Sequence, residues 1–147
     1  MIRTEQEYKR AVQQLAEREE HLTKQETELR AEKLKGKELK RALDPIRSFC
    51  ESLQEEIDEY ERLKRGEIGE FELQNFNGVG KLLIRLRIAS GLSQKEFADR
   101  LGVDQSQVSR DERNEYHGIT LERASRILDS LGMDLRSVVK PDPGVTV

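Results

Sequence analysis

Seven residues, Leu39, Leu43, Ile46, Cys50, Leu53, Ile57 and Tyr60, succeed one another at spacings that alternate four and three. Side chains so spaced share one face of a helix, and a stripe this regular is the signature of helix packed on helix. Upstream, Thr4 with Glu7 three residues on is a capping-box start. From there to Lys40 the chain has no proline and a single glycine, Gly36. Tyr8, Leu15, Leu22 and Leu29 recur every seven residues, a narrow stripe because the alternate heptad position is mostly polar after Val12. Residues 1–66 therefore read as long helices. Asp44-Pro45 interrupts them, and is expected to restart a helix with Asp44 as N-cap and Pro45 at its first position, reaching about Arg65. Two arrangements are open. The helices form either a hairpin, with the basic end of the first against the acidic second, or a kinked rod that pairs with another chain as a coiled coil. The Leu39–Tyr60 stripe looks larger than a lone hairpin can cover, so its seven residues are candidates for dimerisation. Cys50 on this stripe is expected to be a buried small hydrophobe.

Of 147 residues, 37% are charged and 35% hydrophobic, which suits one modest helical core with an extended charged part. The net charge of −3 divides unevenly. Residues 1–77 carry 15 Lys/Arg against 19 Asp/Glu, residues 78–140 carry 11 against 9, and Arg30–Arg41 alone holds six bases and two acids. A lone cysteine excludes an internal disulfide framework and points to a reducing setting. "MIRTEQEYKR" lacks the apolar core of a signal peptide and no run reaches membrane-spanning length, so a soluble cytoplasmic chain is expected. The two histidines, His21 and His117, have no cysteine or carboxylate at metal-ligand spacing beyond what chance gives in so acidic a chain, and Glu55 with Glu59 reads as a solubilising pair on an exposed helix. "GVGK" at Gly78–Lys81 is too short to cradle a phosphate. No enzyme activity, metal or cofactor is expected.

Residues 67–77 read as a connector that Phe71, Leu73 and Phe76 pin onto the C-terminal domain. Ser93 and Glu96 then form a capping box, opening a helix with Phe97, Ala98 and Leu101 on one face. Gly102 ends it, where a residue free to take positive φ is wanted. Val103 turns inward, Asp104 is the next N-cap, and Val108 lies on the inner face while Gln105, Ser106, Gln107, Ser109 and Arg110 look outward or sideways. Two helices crossing this tightly need a residue as small as Ala98 where they meet.

On these residues, "LLIRLRIASGLSQKEFADRLGVDQSQVSRDE" with the later "ITLERASRILDSLGMDL" resembles the phage-repressor/Cro-type (Xre-type) helix-turn-helix family. The resemblance implies an all-α fold: N-terminal long helices, as hairpin or coiled coil, before a five-helix lambda-repressor-like DNA-binding domain over residues 78–140, with 141–147 a tail. It also implies double-stranded DNA as partner, a dimeric repressor reading an inverted repeat, base contacts from Gln105, Ser106 and Arg110, and phosphate contacts from Gln94, Lys81, Arg85, Lys95, Ser109 and Arg113. The segments "IRTEQEYKRAVQQL" and "EEIDEYERLKRGE" are also similar to the helical extensions of HigA-type antitoxins, which implies a toxin as a further protein partner. Two departures stand out. Asp111 occupies a position the family usually fills with a large apolar residue, a loss for which Tyr116 is expected to compensate. "RNEYHGI" is about one residue longer than the family's turn. Leu135, Val138 and Val139 suggest a short strand, and the C-terminal domain is expected to fold without residues 1–66.

Overall fold

The computed structural model describes residues 1–144, so the tail is described only as far as Gly144. Over the described residues the fold is all-α, with six helices: α1 (Glu5–Ala31), α2 (Lys37–Lys64), α3 (Val79–Ala89), α4 (Gln94–Leu101), α5 (Gln105–Arg113) and α6 (Leu121–Ser130).

The first helix begins where expected. The Thr4 hydroxyl accepts from the Glu7 amide at 3.1 Å, while the Glu7 carboxylate reaches back to the Arg3 amide at 2.7 Å, one residue beyond the usual capping box. The hairpin arrangement is the one formed, but its turn lies at 32–36, with Lys33 and Gly36 at φ +66° and +61°. Asp44 is therefore no N-cap, and Pro45 lies inside α2. A proline there removes the bond to the carbonyl four residues back, at Arg41. Both residues are exposed, so solvent replaces that bond, whereas the turn needs two positive-φ residues that only the Lys33–Gly36 stretch provides.

Moving the turn changes which charges meet. The helices run antiparallel: Glu26 pairs with Arg47 at 3.7 Å, Arg18 lies over the Phe49 ring, and Tyr8 stacks on Tyr60 with centroids 5.1 Å apart. The basic stretch thus falls in the turn and the start of α2 at the hairpin tip, away from the acidic part of α2, which lies against the N-terminal half of α1. Here the Tyr8 hydroxyl donates to Glu61 and that of Tyr60 to Glu5. Burial, and then the Glu5 charge, pushes the Tyr60 pKa up to about 12, so it remains a donor.

The Leu39–Tyr60 stripe is covered within the chain. Leu39, Leu43, Cys50, Ile57 and Tyr60 are buried, and Ile46 and Leu53 half-buried. Its size therefore gives no ground for a second copy, because α1 runs 27 residues alongside it and Tyr8, Leu15, Leu22 and Leu29 all turn towards it, buried or half-buried.

Nor is the hairpin a separable appendage. Ile2, Ile57, Tyr60 and Leu63 belong to the same apolar cluster as Leu83, Phe97, Val108 and Ile127. Arg85 of α3 donates to Glu59 of α2 at 2.6 Å and lies over the Phe71 ring. Phe71 and Leu73 pin the connector as expected, but Phe76 is half exposed. An isolated domain lacking residues 1–66 would expose this apolar face, so the expectation that it folds alone overlooks a shared core.

Residues 78–140 contain four helices, not five. After α6 the chain turns at Gly132, and among the described residues it forms neither helix nor strand. Val138 and Val139 are 81% and 94% exposed. A strand needs a partner edge, which an all-helical domain does not offer, and Pro141 and Pro143 oppose a helix.

Candidate nucleic-acid interface

The pair α4–α5 forms as its residues dictate. Ser93 and Glu96 close the capping box, Gly102 ends α4 at φ +71°, and Ala98, 1% exposed, sits at the crossing beside Phe97. Asp104 takes the N-cap position of α5 with extended backbone, although its side chain makes no capping bond.

Beneath α5 lies a polar network that the sequence pattern alone does not announce. Arg87 of α3 and Glu112 of α5 are 3% and 0% exposed and form an ion pair through both guanidinium and carboxylate edges. The other bonds of Arg87 go to the Leu92 carbonyl at 2.6 Å and to the Arg3 carbonyl at 2.8 Å. Glu112 also accepts from Gln94 at 2.8 Å. This set ties α3, the start of α4, α5 and the segment before α1 to one buried centre. A weak signal was present in the periodicity: Arg87 comes after Leu83 and Ile84 on the inner face of α3, and Glu112 comes four residues after Val108 on that of α5. Opposite charges at core-facing positions of two adjacent helices are natural partners.

The departure at Asp111 is resolved in a similar way. Asp111, half-buried, pairs with Arg123 of α6, and Arg123 lies over the Tyr116 ring. Tyr116 is 5% exposed and fills the core as expected; burial, then the charges of Glu112 and Asp111, raises its hydroxyl pKa and keeps it neutral. The longer turn is accommodated by Glu115 and Tyr116, both at φ near +50°.

These pairings decide which charges are left on the outer side of α5. Of the run Arg110-Asp111-Glu112-Arg113, both acids turn inward and are neutralised, while both arginines are exposed and make no ion pair among the described residues. Gln105 and Ser106 are exposed beside them and Ser109 is half-buried. The Arg110 Nε donates to the Ser106 carbonyl at 3.3 Å, laying its side chain along the helix. Residues 83–138 match a family model described as helix-turn-helix.

This part of the chain is a helix-turn-helix domain. No curated protein and no solved structure matches the chain. The match runs from within α3 past α6, taking in the helical part of the buried network but not the hairpin or Gly80. A helix-turn-helix domain of this type is a DNA-binding regulatory module, and α5 is its second helix.

The residues expected to touch phosphate separate into two groups. Lys95 and Arg113 are exposed and unpaired among the described residues, and Lys81 is exposed with only a loose 4.0 Å approach to Glu115. Arg85 is committed to Glu59 and Phe71, so it holds the hairpin on the domain instead of facing solvent. The Gln94 side chain is buried against Glu112, not turned outward. A carboxylate at its inner side offers a stronger acceptor than water, which sequence position alone does not disclose. Among the described residues no helix is long and apolar enough to cross a membrane.

Proposed function

We propose that this chain is a transcriptional repressor that reads double-stranded DNA through α5. The observation that carries the reading is the sorting of charge on that helix: α5 commits its acids to inward ion pairs, Glu112 in a buried one and Asp111 in a half-buried one, and presents Gln105, Ser106, Ser109, Arg110 and Arg113 on one outer side. Gln105 suits the paired donor and acceptor of adenine, and Arg110 the two acceptors of guanine. Lys81, Lys95, Ser109 and Arg113 serve the phosphates, which fix register without reading sequence.

Gln105→Ala and Arg110→Ala should each cost about 1–3 kcal/mol of specific binding and relax preference at particular bases. Equal losses on specific and random duplexes would show that neither side chain reads a base. Lys95→Ala and Arg113→Ala should instead weaken binding to all sequences alike, each lowering the slope of log affinity against log salt by about one. An unchanged slope removes that residue from the phosphate contacts.

Two copies acting together complete the proposal, since a nine-residue helix with three base-reading side chains covers only a few base pairs. Two-fold pairing sets the reading helices about 34 Å apart on an inverted repeat. The pairing surface lies outside the Leu39–Tyr60 stripe, which α1 already covers. Light scattering on the DNA-bound chain tests this, and one copy per full-affinity site would exclude it.

A further inference from the structure

The hairpin tip concentrates positive charge without any structural return. Lys33, Lys35, Lys37, Lys40 and Arg41 are all exposed, and none makes an ion pair among the described residues. The sixth base, Arg30, is held by Glu26. Glu32 and Glu38 are the stretch's two acids, which leaves a surplus of four positive charges in twelve residues. The turn gathers these cations at one end of the hairpin, and Lys37 stands at the first position of α2, where the helix dipole disfavours a cation. The acidic part of α2, which would neutralise them, is folded against the opposite end of α1. Such an arrangement is self-repulsive in the free chain and is relieved by a ligand of opposite sign.

We infer that the hairpin tip is a second nucleic-acid contact, binding the phosphate backbone of duplex DNA outside the site read by α5. The inference rests on the DNA-binding reading and adds a sequence-independent grip to it. The chemistry of the tip selects this ligand. Leu34 and Leu39 are at least half-buried and no large apolar residue is exposed between Val12 and Phe49, so the tip lacks the anchor a protein interface or a membrane surface requires. It has no aromatic side chain on which a base could stack. Its asset is lysine charge on long side chains, matched to a polymer bearing one negative charge per about 1.7 Å. α1, with 27 residues, carries that charge about 40 Å from the hairpin's base, more than one turn of duplex.

The test compares the full chain with its Lys33→Gln, Lys35→Gln, Lys37→Gln, Lys40→Gln variant, whose four changes lie on exposed positions and leave the core intact. Each is titrated over a salt series against a short duplex holding only the site recovered from a random-sequence pool, and against a duplex of about 50 base pairs with that site at its centre. The wild-type chain should bind the longer duplex more tightly, with a salt slope steeper by about three to four. The variant should match wild type on the short duplex and lose the increment on the long one. Equal slopes for both proteins on both duplexes overturn the inference while the DNA-binding reading stands. Failure of the wild type to bind either duplex overturns both.

Discussion

Replacing Glu112 with alanine should destabilise the chain by about 3–5 kcal/mol, a large part of the stability of a domain this size. The Arg87 guanidinium would remain 3% exposed, held by the Leu92 and Arg3 carbonyls but with no counter-charge. Gln94 would lose its acceptor at the same time. Thermal denaturation should register a fall on the order of 10 °C. The paired change Arg87→Met, Glu112→Leu should recover most of the loss, because the penalty belongs to the orphaned charge and not to the absence of an ion pair. A loss below about 1 kcal/mol for Glu112→Ala would mean that Arg87 escapes to water, and that the buried centre does not join the hairpin to α5.

Gly80→Ala should cost about 3 kcal/mol, the upper end of overpacking, although it adds one methyl group. A Cβ at Gly80 would lie 1.8 Å from the Glu115 carbonyl oxygen and 2.7 Å from its carbon. Both are backbone atoms of a turn already holding two non-glycine residues at positive φ, so neither can swing aside as a side chain would. The start of α3 must then separate from the α5–α6 turn, loosening Tyr116 and the end of α5. Gly91→Ala is the control: φ is +74° there but nothing lies within 4 Å of the added carbon, so only the backbone cost of about 1–2 kcal/mol applies. Denaturant midpoints for the two variants should differ accordingly, and equal shifts would show that the contact at Gly80 is slack.

These two positions mark where sequence pattern stops informing. The α4–α5 unit is legible because each of its signals is local: a capping box at Ser93 and Glu96, a positive-φ glycine at 102, a small residue at 98. The hairpin is legible as two helices, yet its turn lies about ten residues before the place the proline suggests. Proline is a strong local signal, but Pro45 sits on an exposed face where a lost hydrogen bond is replaced by water, while Lys33 and Gly36 supply the backbone reversal. The seven-residue stripe is a packing face, as its spacing indicates, and the helix that covers it is α1 of the same chain, whose own apolar pattern is sparse. Among site residues, Gln105, Ser106, Arg110, Lys95 and Arg113 lie outward as their positions indicate. Arg85 and Gln94 do not, because their partners, Glu59 and Glu112, lie 26 and 18 residues away in sequence. Long-range pairing of charge is invisible to periodicity until both members are seen to occupy inner positions.

Selection of bound duplexes from a random-sequence pool decides whether α5 reads a specific DNA sequence. The wild-type chain should enrich one motif. Gln105→Ala and Arg110→Ala should each relax that motif at a different base position, while Lys95→Ala should lower recovery without changing the motif. A pool that remains random at low salt, or a motif untouched by both α5 substitutions, would mean that α5 does not read DNA sequence.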